Sequence, residues 1–595
     1  MLKVLEYPFD SAYLLENKRK IKKELLSSSD NFIEKKIAIL GGSTTAAVKQ
    51  MMELFLLNNG IKPSFYESEY NKFYEDAMFE NVELKDFNPD IIYVHTTNRN
   101  IRNYPSIAMS KEEVDELLND EYRYFENIWK SLKDKYGCVI IQNNFEKPYY
   151  RLMGNKDFSD IHGKVNYINR LNSLFAEYAN SNENFYICDI DYISADYGLS
   201  KWADQFYFHM YKYGLNVNAI PYLSFNVANI IKSIYGKNKK GFVLDLDNTL
   251  WGGVIGDDGV DGISLGVEEA KGSVYSEFQK YLKETTQLGI ILNIDSKNEY
   301  ENAIAGLNHP DSELKEDDFV EIKANWDPKD KNFKEIAETI NLLPESLVFV
   351  DDNPAERYIV SEQLKGVSAP ELNNPEKYIE IIDRNGYFET TVFSKDDLKR
   401  NQMYKDNARR ARLEASFEDY HDYLLSLDMK GIIKPFESIY YERITQLSNK
   451  SNQYNLTTRR YTQSEIEEIT VSDKYISLYG KLIDKFGDNG LVSVSIGSIE
   501  EDTCSIDLWL MSCRVLKRDF EYAMMDTFVE KCKQKGIKKI IGNYYPTAKN
   551  KMVADFYDLQ GFTLIEEKDG NKKYELLIDD YQKKNTVIEL ENNNE

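Results

Sequence analysis

The stretch GFVLDLDNTLWGGVIGDDG, residues 241–259, decides how the central part of the chain folds. Residues 242–244 form a short apolar run, which is typical of a buried strand in a parallel sheet. Asp245 and Asp247 follow this run, so both carboxylates can reach a site at the end of the strand. One aspartate of such a pair can attack a phosphoryl group, and the other can protonate the leaving oxygen.

Further polar motifs follow the next predicted strands and turns. Ser296 follows the apolar strand GIILNID, and its hydroxyl can bind a phosphate oxygen. Lys329 comes after the turn sequence NWDP, while Asp351 and Asp352 follow the apolar strand SLVFV. Because parallel strands end at one edge of a sheet, we expect these side chains to meet Asp245 there. Acids from two strands are suitable ligands for Mg²⁺.

Predicted helices over residues 274–288 and 331–342 connect these strands, which indicates a repeated βαβ unit. The motifs DLDNTLWGGVIGDDG, SKN, NWDPK and FVDDNPAER follow in this order. They resemble the haloacid dehalogenase (HAD) phosphatase superfamily, and within it the FkbH-like group, subfamily IIIC. The resemblance implies Asp245 as nucleophile, Asp247 as acid and base, and Ser296 and Lys329 as phosphate-binding residues. The implied Mg²⁺ ligands are Asp245, Asp247, Asp351 and Asp352.

Composition and charge restrict the possible functions of the whole chain. A net charge of −25 argues against a general nucleic-acid binder or an anionic-membrane binder, because both need a basic face. The five cysteines show no CxxC pair and no disulfide-like spacing. The first residues lack the apolar core of a signal peptide, and no run of about 18 apolar residues occurs. We therefore expect a cytoplasmic protein.

The N-terminal third alternates predicted strands and helices, which favours a parallel sheet. The strands are KIAILGG, DIIYVHT, CVIIQNN and NFYICDID, with helices over residues 46–58 and 112–135. Ser43 after the first strand and Asn98 after a later one resemble the SGNH hydrolases, whose third motif places an Asp three residues before a His. Here Asp204 and His209 are five residues apart. The alternative is a Ser43 or Thr44 helix cap in a domain kept for binding or docking.

The segment after the HAD-like region is predicted to be a charged helix over residues 398–417. Arg409, Arg410 and Arg412 are its densest basic cluster. They form either a solvated helix face or a docking patch for an acidic partner such as an acyl carrier protein.

The C-terminal third resembles two known patterns. Residues 448–462, SNKSNQYNLTTRRYT, match an FkbH-like signature. The strands at 491–499 and 504–512, the loop CRVLKRD and the helix at 520–534 resemble the GNAT acyltransferases. In that family the loop binds the pyrophosphate of coenzyme A. Arg514, Lys517 and Arg518 are the candidate residues for coenzyme A or phosphopantetheine, although Lys517 and Asp519 replace the usual small residues.

Three functions are compatible with these motifs. The first is a Mg²⁺-dependent phosphatase or phosphotransferase that acts on a small phosphorylated metabolite, in secondary-metabolite or surface-glycan biosynthesis. The second is the FkbH-like transfer of a glyceryl unit from 1,3-bisphosphoglycerate to an acyl carrier protein, for which the family uses a Cys before Ser296. Asp295 stands at that position here. The third is a non-catalytic scaffold that binds a phosphorylated ligand.

The predicted fold class is multidomain α/β. At 595 residues the chain is too long for a single core. We predict an SGNH-like doubly wound domain (1–235), a HAD-like Rossmannoid domain (236–385), a connecting helix (386–430), a GNAT-like α+β domain (431–583) and a disordered tail (584–595).

Overall fold

The computed structural model describes residues 2–27, 32–393, 399–451, 453–547 and 549–591. They form two compact units. The first comprises Met1–Ile234 and Glu389–Thr391, and the second comprises Tyr235–Phe388 and Val392–Glu595. The HAD-like and C-terminal regions, which the sequence predicts as separate domains, therefore lie in one compact unit.

Five parallel strands form the sheet of the first unit. They are β1 (Ile33–Gly41), β2 (Ile61–Glu67), β3 (Ile91–His95), β4 (Val139–Asn143) and β5 (Phe185–Cys188). Their order, β2-β1-β3-β4-β5, is a doubly wound α/β arrangement. The α-helices are Ser11–Ser27, Ala46–Asn58, Phe73–Met78, Val82–Phe87, Lys111–Tyr136, Lys156–Ser159, Lys164–Ser181, Ile190–Tyr197, Leu199–Trp202, Gln205–Tyr211 and Ile220–Ile234.

The sequence patterns predict four of these five strands and miss β2. β2 is an edge strand that contains Pro63, and proline within a strand-like run weakens the pattern. The helix Lys111–Tyr136 has clear boundary signals. Ser110 and Glu113 form a capping box at its start, and Gly137 ends it with a φ of 57°, a conformation that glycine adopts without strain.

The HAD-like region has a four-stranded parallel sheet of order β8-β7-β6-β9. Its strands are β6 (Gly241–Leu244), β7 (Ile291–Ser296), β8 (Phe319–Ala324) and β9 (Leu347–Val350). β6 and β9 are buried along their whole length, as the apolar runs predict. The α-helices of this region are Ile255–Asp258, Ala270–Thr286, Tyr300–Leu307, Lys329–Thr339, Pro354–Gln363 and Tyr378–Arg384.

The C-terminal region is built on a nine-stranded mixed sheet. The strands are β10 (Met429–Pro435), β11 (Tyr454–Asn455), β12 (Tyr475–Asp484), β13 (Gly487–Glu500), β14 (Thr503–Met511), β15 (Lys539–Tyr544), β16 (Thr563–Lys568), β17 (Asn571–Leu577) and β18 (Ile588–Leu590). The α-helices from residue 399 onward are Arg400–Glu414, Tyr420–Ser426, Tyr441–Lys450, Gln463–Val471, Phe520–Gln534 and Phe556–Gln560. The multidomain α/β fold class is confirmed.

A buried ionic cluster joins the helix Arg400–Glu414 to the C-terminal sheet. Asp484, at the end of β12, accepts from Arg410 Nη2 at 2.7 Å and from Arg518 Nη1 at 2.8 Å. All three side chains are at most 6% exposed. Asn407 Oδ1 accepts a further hydrogen bond from each arginine, at 2.8 Å. One carboxylate thus holds two guanidinium groups away from water.

The predicted basic patch on this helix is not a free surface. Arg410 is buried in the cluster just described. Arg409 and Arg412 are exposed, and they pair with Asp406 at 3.1 Å and with Glu321 at 3.2 Å. All three arginines therefore do not form one exposed face, because Arg410 is buried, and docking of an acidic partner at Arg409 and Arg412 stays a prediction.

Two further boundaries differ from the sequence predictions. The charged helix runs over Arg400–Glu414, while residue 398 of its predicted range lies outside the described residues. The tail predicted as disordered contains β18, which pairs in parallel with β10, so the prediction is wrong as far as Leu590. The apolar residues Val587 and Ile588 are buried against the C-terminal core, which explains why this segment is ordered. Among the described helices, none has the length and apolar character needed to cross a membrane.

Candidate active site at the edge of the HAD-like sheet

The parallel strand order brings the proposed catalytic aspartates together. Leu244 at the end of β6 pairs with Ile294 of β7 and with Val350 of β9. The residues that follow Leu244 and Val350 are Asp245 and Asp351, and they therefore leave the sheet side by side. The backbone N–H of Asp245 donates to the Val350 carbonyl at 2.9 Å, which continues the pairing beyond the strands.

Three carboxylates form a compact group at this edge. Asp245, Asp351 and Asp352 each offer one carboxylate oxygen, and these oxygens lie within 4.8 Å of one another. Burial, together with the charge of Asp245, raises the pKa of Asp351 to about 6 and also raises the pKa of Asp352. Oxygen ligands this close together repel one another unless a cation lies between them, and they suit a hard divalent ion.

Lys329 supplies a positive charge inside this acidic group. It begins the helix Lys329–Thr339 directly after Pro328, and its side chain is 3% exposed. Its ammonium lies 2.8 Å from Asp245 Oδ1 and 2.5 Å from Asp351 Oδ2. Burial by itself lowers the pKa of Lys329, but the attraction of both carboxylates outweighs burial, and the pKa is raised. The residue is therefore a permanent cation that can contact an incoming phosphate.

Asp247 is held apart from the three-carboxylate group. Its Oδ1 accepts from the indole N–H of Trp251 at 2.8 Å and from the backbone N–H of Ile255 at 3.1 Å. Its Oδ2 accepts from Asn298 Nδ2 at 2.8 Å. The resemblance predicts the Asp247 carboxylate as a metal ligand. The structure differs from this prediction, because three N–H donors, from Trp251, Ile255 and Asn298, hold the carboxylate away from the other acids. The same contacts give it one orientation, as an acid–base group requires.

Ser296 ends β7 at the same edge and is 1% exposed. Its hydroxyl oxygen accepts a 3.3 Å contact from Asn298 Nδ2, the group that also holds Asp247. The sequence predicts four residues of this site that the structure places at the ends of neighbouring elements. They are Ser296, Lys329, Asp245 and Asp351.

Three residues that shape the site, Arg357, Asn298 and Trp251, are not among those that the sequence predicts for it. Arg357 is 4% exposed, and its Nη1 donates to the backbone carbonyls of Asp351 and Asp352 at 2.7 Å, which fixes the loop carrying both acids. Asn298 and Trp251 orient Asp247. All three residues belong to the motifs quoted above. Their hydrogen-bond partners, however, depend on loop geometry, which the sequence pattern does not give.

Asp295 lies beneath the site and has an incomplete set of hydrogen bonds. It is 0% exposed, and its Oδ1 accepts from Asn332 Nδ2 at 3.2 Å. Its Oδ2 has no hydrogen-bond partner among the described residues. Burial raises the pKa of Asp295 well above its usual range, although Lys329 opposes the shift. A carboxyl group at this position cannot form the thioester that the cysteine of FkbH-like enzymes forms.

Two comparisons with known proteins match large parts of the chain. The family model of the FkbH N-terminal domain matches residues 36–232. The N-terminal part of BF1531 from Bacteroides fragilis, a crystal structure containing a phosphatase domain complexed with Mg, is 28% identical. That match covers 63% of this chain and 99% of that one, with a TM-score of 0.59. The chain is therefore similar to FkbH-like proteins and to a protein with a phosphatase domain that binds Mg.

Other solved structures are more distant from this chain. The ribosomal-protein-S18-alanine N-acetyltransferase from Escherichia coli is 11% identical, covers 25% of this chain and 94% of its own, and has a TM-score of 0.20. The GNAT domain of PAT from S. lividans is 16% identical. That match covers 24% of this chain and 89% of that one, with a TM-score of 0.21. No curated protein matches the chain.

The predicted hydrolase-like residues of the N-terminal unit do not form a triad. Asp204 caps the helix Gln205–Tyr211 by accepting from the Tyr207 N–H at 3.1 Å, and His209 is exposed on that helix. Asn98 Nδ2 donates to two backbone carbonyls of the loop after β4. Within the described residues, Ser43 Oγ pairs with the Nε2 atom of His95, at 3.0 Å, and not with His209. The Asp204–His209 prediction is therefore wrong.

His95, the partner of Ser43, has further hydrogen-bonding neighbours. Asn143 Nδ2 donates to the Thr96 carbonyl and lies 3.1 Å from His95 Nδ1, while the Tyr93 hydroxyl donates to Asn143 Oδ1 and lies 3.1 Å from the same ring nitrogen. These neighbours fit either tautomer of the ring. Burial lowers the pKa of His95 to about 4, which favours the neutral ring.

The loop CRVLKRD, which is predicted to bind the pyrophosphate of coenzyme A, differs from that prediction. Arg514 and Arg518 are both buried, and Arg518 belongs to the Asp484 cluster. Lys517 and Asp519 have φ values of 61° and 59°, the left-handed conformation that glycine adopts most easily. The loop thus keeps a glycine-like backbone shape, but its two arginines face inward. The prediction that they bind coenzyme A or phosphopantetheine is not supported by their positions.

Proposed function

We propose that this protein is an FkbH-like, Mg²⁺-dependent phosphatase or phosphotransferase that acts on a small phosphorylated metabolite. The observation that carries the proposal is the Asp245 carboxylate, which lies within 4.8 Å of two further acids and is 2.8 Å from the Lys329 ammonium. A nucleophile in this setting can approach a phosphoryl group, because nearby positive charge reduces the repulsion between the two anions. Asp245, Asp351 and Asp352 would hold Mg²⁺, which would neutralise charge on the phosphoryl oxygens.

In the first half of the reaction, an Asp245 oxygen attacks phosphorus and the bond from phosphorus to the leaving oxygen breaks. Asp247 donates a proton to that oxygen, which leaves as an alcohol. Lys329, and the Ser296 hydroxyl at the same edge, contact the phosphoryl oxygens. The covalent product is an aspartyl-phosphate on Asp245.

In the second half, an acceptor attacks the aspartyl-phosphate. Asp247, now a carboxylate held by three N–H donors, takes a proton from water or from an acceptor hydroxyl. The bond between phosphorus and Asp245 breaks, and the nucleophile is regenerated. Water as acceptor makes the enzyme a phosphatase, and a metabolite hydroxyl makes it a phosphotransferase.

Glyceryl loading through an enzyme thioester is less compatible with this chain. Residues 236–385 contain no cysteine, and the family position holds the buried Asp295. Direct transfer would pass the glyceryl group from the acyl phosphate to the carrier protein itself, with phosphate as the leaving group and no enzyme thioester. Mass spectrometry of an acyl carrier protein incubated with the enzyme and 1,3-bisphosphoglycerate tests this alternative, because a glyceryl adduct adds a defined mass.

Phosphate release from a panel of phosphorylated three-carbon acids and sugars tests the proposed function. We expect at least one substrate to release phosphate in the presence of Mg²⁺, and release to fall to the background rate when EDTA removes the metal. Addition of excess Mg²⁺ should restore it. Release that is equally fast in EDTA, or no release from any member of the panel with and without a carrier protein, would contradict the proposal.

Replacing Asp247 separates its acid–base role from metal binding. Asp247→Asn is expected to lower phosphate release by about 10²–10⁴-fold, with the smallest loss for good leaving groups that need no proton. Its affinity for Mg²⁺ should stay within about twofold, because its carboxylate lies outside the three-carboxylate group. Isothermal titration with Mg²⁺ and rates with alkyl and nitrophenyl phosphates measure both effects. A large loss of Mg²⁺ affinity would instead make Asp247 a ligand.

A further inference from the structure

A network of polar side chains lies at the start of the helix that carries Lys329. Asp295 Oδ1 accepts from Asn332 Nδ2 at 3.2 Å. Asn332 Nδ2 also donates to Asn325 Oδ1 at 2.8 Å, and Asn325 Nδ2 donates back to Asn332 Oδ1 at 3.3 Å. Asp295 and Asn332 are both 0% exposed, so water cannot take over these contacts when one partner is lost. The Asn332 amide thus finds its hydrogen-bond partners within this network.

The network ties the turn before Lys329 to the end of β7. Asp295 and Ser296 are the last two residues of that strand. The backbone N–H of Asn325 donates to the Ser296 carbonyl at 3.1 Å, and Asn325 Oδ1 also accepts from the backbone N–H of Asp327 at 2.9 Å. Residues 325–328 are therefore attached to β7 by a backbone hydrogen bond and, through Asn332, by the Asp295 carboxyl group.

Asn332 also fixes the start of the helix Lys329–Thr339. The residue before this helix is Pro328, whose side chain has no acceptor that could cap the first turn. Lys329 and Asn332 are three residues apart, so they lie on the same face of the helix, and both are buried. The hydrogen bond from Asn332 to Asp295 holds that face against β7. The Lys329 side chain consequently extends from an anchored backbone.

The ion pairs of Lys329 do not determine this position by themselves. Its ammonium lies 2.8 Å from Asp245 Oδ1 and 2.5 Å from Asp351 Oδ2. A lysine carries its charge on a flexible stem of four methylene groups, so the same two contacts can form from several backbone positions. A phosphoryl group that approaches Asp245 needs the ammonium at one of them, because a positive charge stabilises a transition state best when it is in place beforehand.

We propose that Asn332 is a positioning residue for phosphoryl transfer, which anchors Lys329 to β7 through Asp295 and Asn325. The inference rests on the proposed function, because it assigns Lys329 to the phosphoryl oxygens. It also gives the buried Asp295 a role that needs no covalent chemistry, since its carboxyl group is the fixed end of the network. Loss of Asn332 releases the first turn of the helix, and a displacement of about 1 Å in an active site can cost about 10²-fold in rate.

A double-mutant cycle on the full-length protein tests whether Asn332 acts through Lys329. Asn332→Ala is expected to lower kcat/KM for the best phosphorylated substrate by about 10²-fold. In a Lys329→Met background the same change should lower kcat/KM by no more than about twofold, because the ammonium that Asn332 positions is already absent. Lys334→Ala, exposed on the same helix, is the control and should match wild type. Equal losses from Asn332→Ala in both backgrounds would overturn the proposal.

Crystal structures of the variants give a readout that does not depend on activity. The double variant Asp295→Val with Asn332→Val removes both partners together, so no buried polar group of this pair is left unpaired and the fold should be retained. In it and in Asn332→Ala, the Lys329 Cα and Nζ atoms should move by about 1 Å relative to β7. Atoms that stay within about 0.5 Å of their wild-type positions in both variants would overturn the proposal. If Lys329 moves but the wild-type protein releases no phosphate, the anchoring of Lys329 stands and the proposed phosphatase function fails.

Discussion

Asp245→Asn is expected to abolish Mg²⁺-dependent phosphate release, with a loss on the order of 10⁴–10⁶-fold, as when other covalent nucleophiles are removed. The amide has nearly the same shape as the carboxylate but cannot attack phosphorus to form an acyl phosphate. Asp245 also belongs to the three-carboxylate group, so its replacement should weaken Mg²⁺ binding as well. The fold should persist, because Lys329 keeps its 2.5 Å ion pair with Asp351.

The measurement is phosphate release by wild type and variant at saturating Mg²⁺, with thermal unfolding of both proteins recorded alongside. Asp257→Asn is a suitable control, because that aspartate is exposed in the same motif and outside the carboxylate group. It should retain nearly full activity. If Asp245→Asn kept more than a tenth of the wild-type rate, another residue would have to be the nucleophile.

Asp484→Ala is expected to destabilise the C-terminal sheet by about 3–5 kcal/mol, the usual range when one partner of a buried ion pair is removed. The change would leave the guanidinium groups of Arg410 and Arg518 in the interior with no carboxylate at 2.7–2.8 Å. Replacing all three residues by apolar ones, as in Arg410→Met, Asp484→Leu and Arg518→Met together, should cost much less, because no buried charge remains unpaired.

Hydrogen–deuterium exchange of peptides from β12 to β14 reports this loss directly, because exchange there follows the free energy of local opening. The exposed Asp473→Ala should change that free energy by no more than about 0.5 kcal/mol. If these peptides exchanged at the same rate in Asp484→Ala and in Asp473→Ala, the ionic cluster would contribute little to stability. The C-terminal sheet would then depend on its apolar core alone.

The local pattern of apolar runs followed by acids was sufficient to predict most of the HAD-like site. Asp245 and Asp351 had to meet, because parallel neighbouring strands end at the same edge wherever the connecting helices lie. The same reasoning puts Ser296 at this edge, where it ends β7, whereas Lys329 begins a helix and lies 2.8 Å from Asp245. The sequence patterns miss β8, as they miss β2. The β8 sequence FVEIKA mixes apolar and charged residues, and only Phe319 and Val320 are buried, so its apolar signal is weaker.

What the sequence by itself determined, therefore, is the fold class and the residues that gather at the ends of the HAD-like strands. The tertiary structure alone decided which way the loop side chains turn. Asp247 faces Trp251 and Asn298 instead of the acids, Ser43 meets His95, and Arg518 turns inward to Asp484. The physical reason is that strand ends are placed by a periodic local pattern. The orientation of a polar side chain, by contrast, also depends on partners far along the chain, as with Asn298 for Asp247 and Asp484 for Arg518, and these positions exist only after the chain has folded.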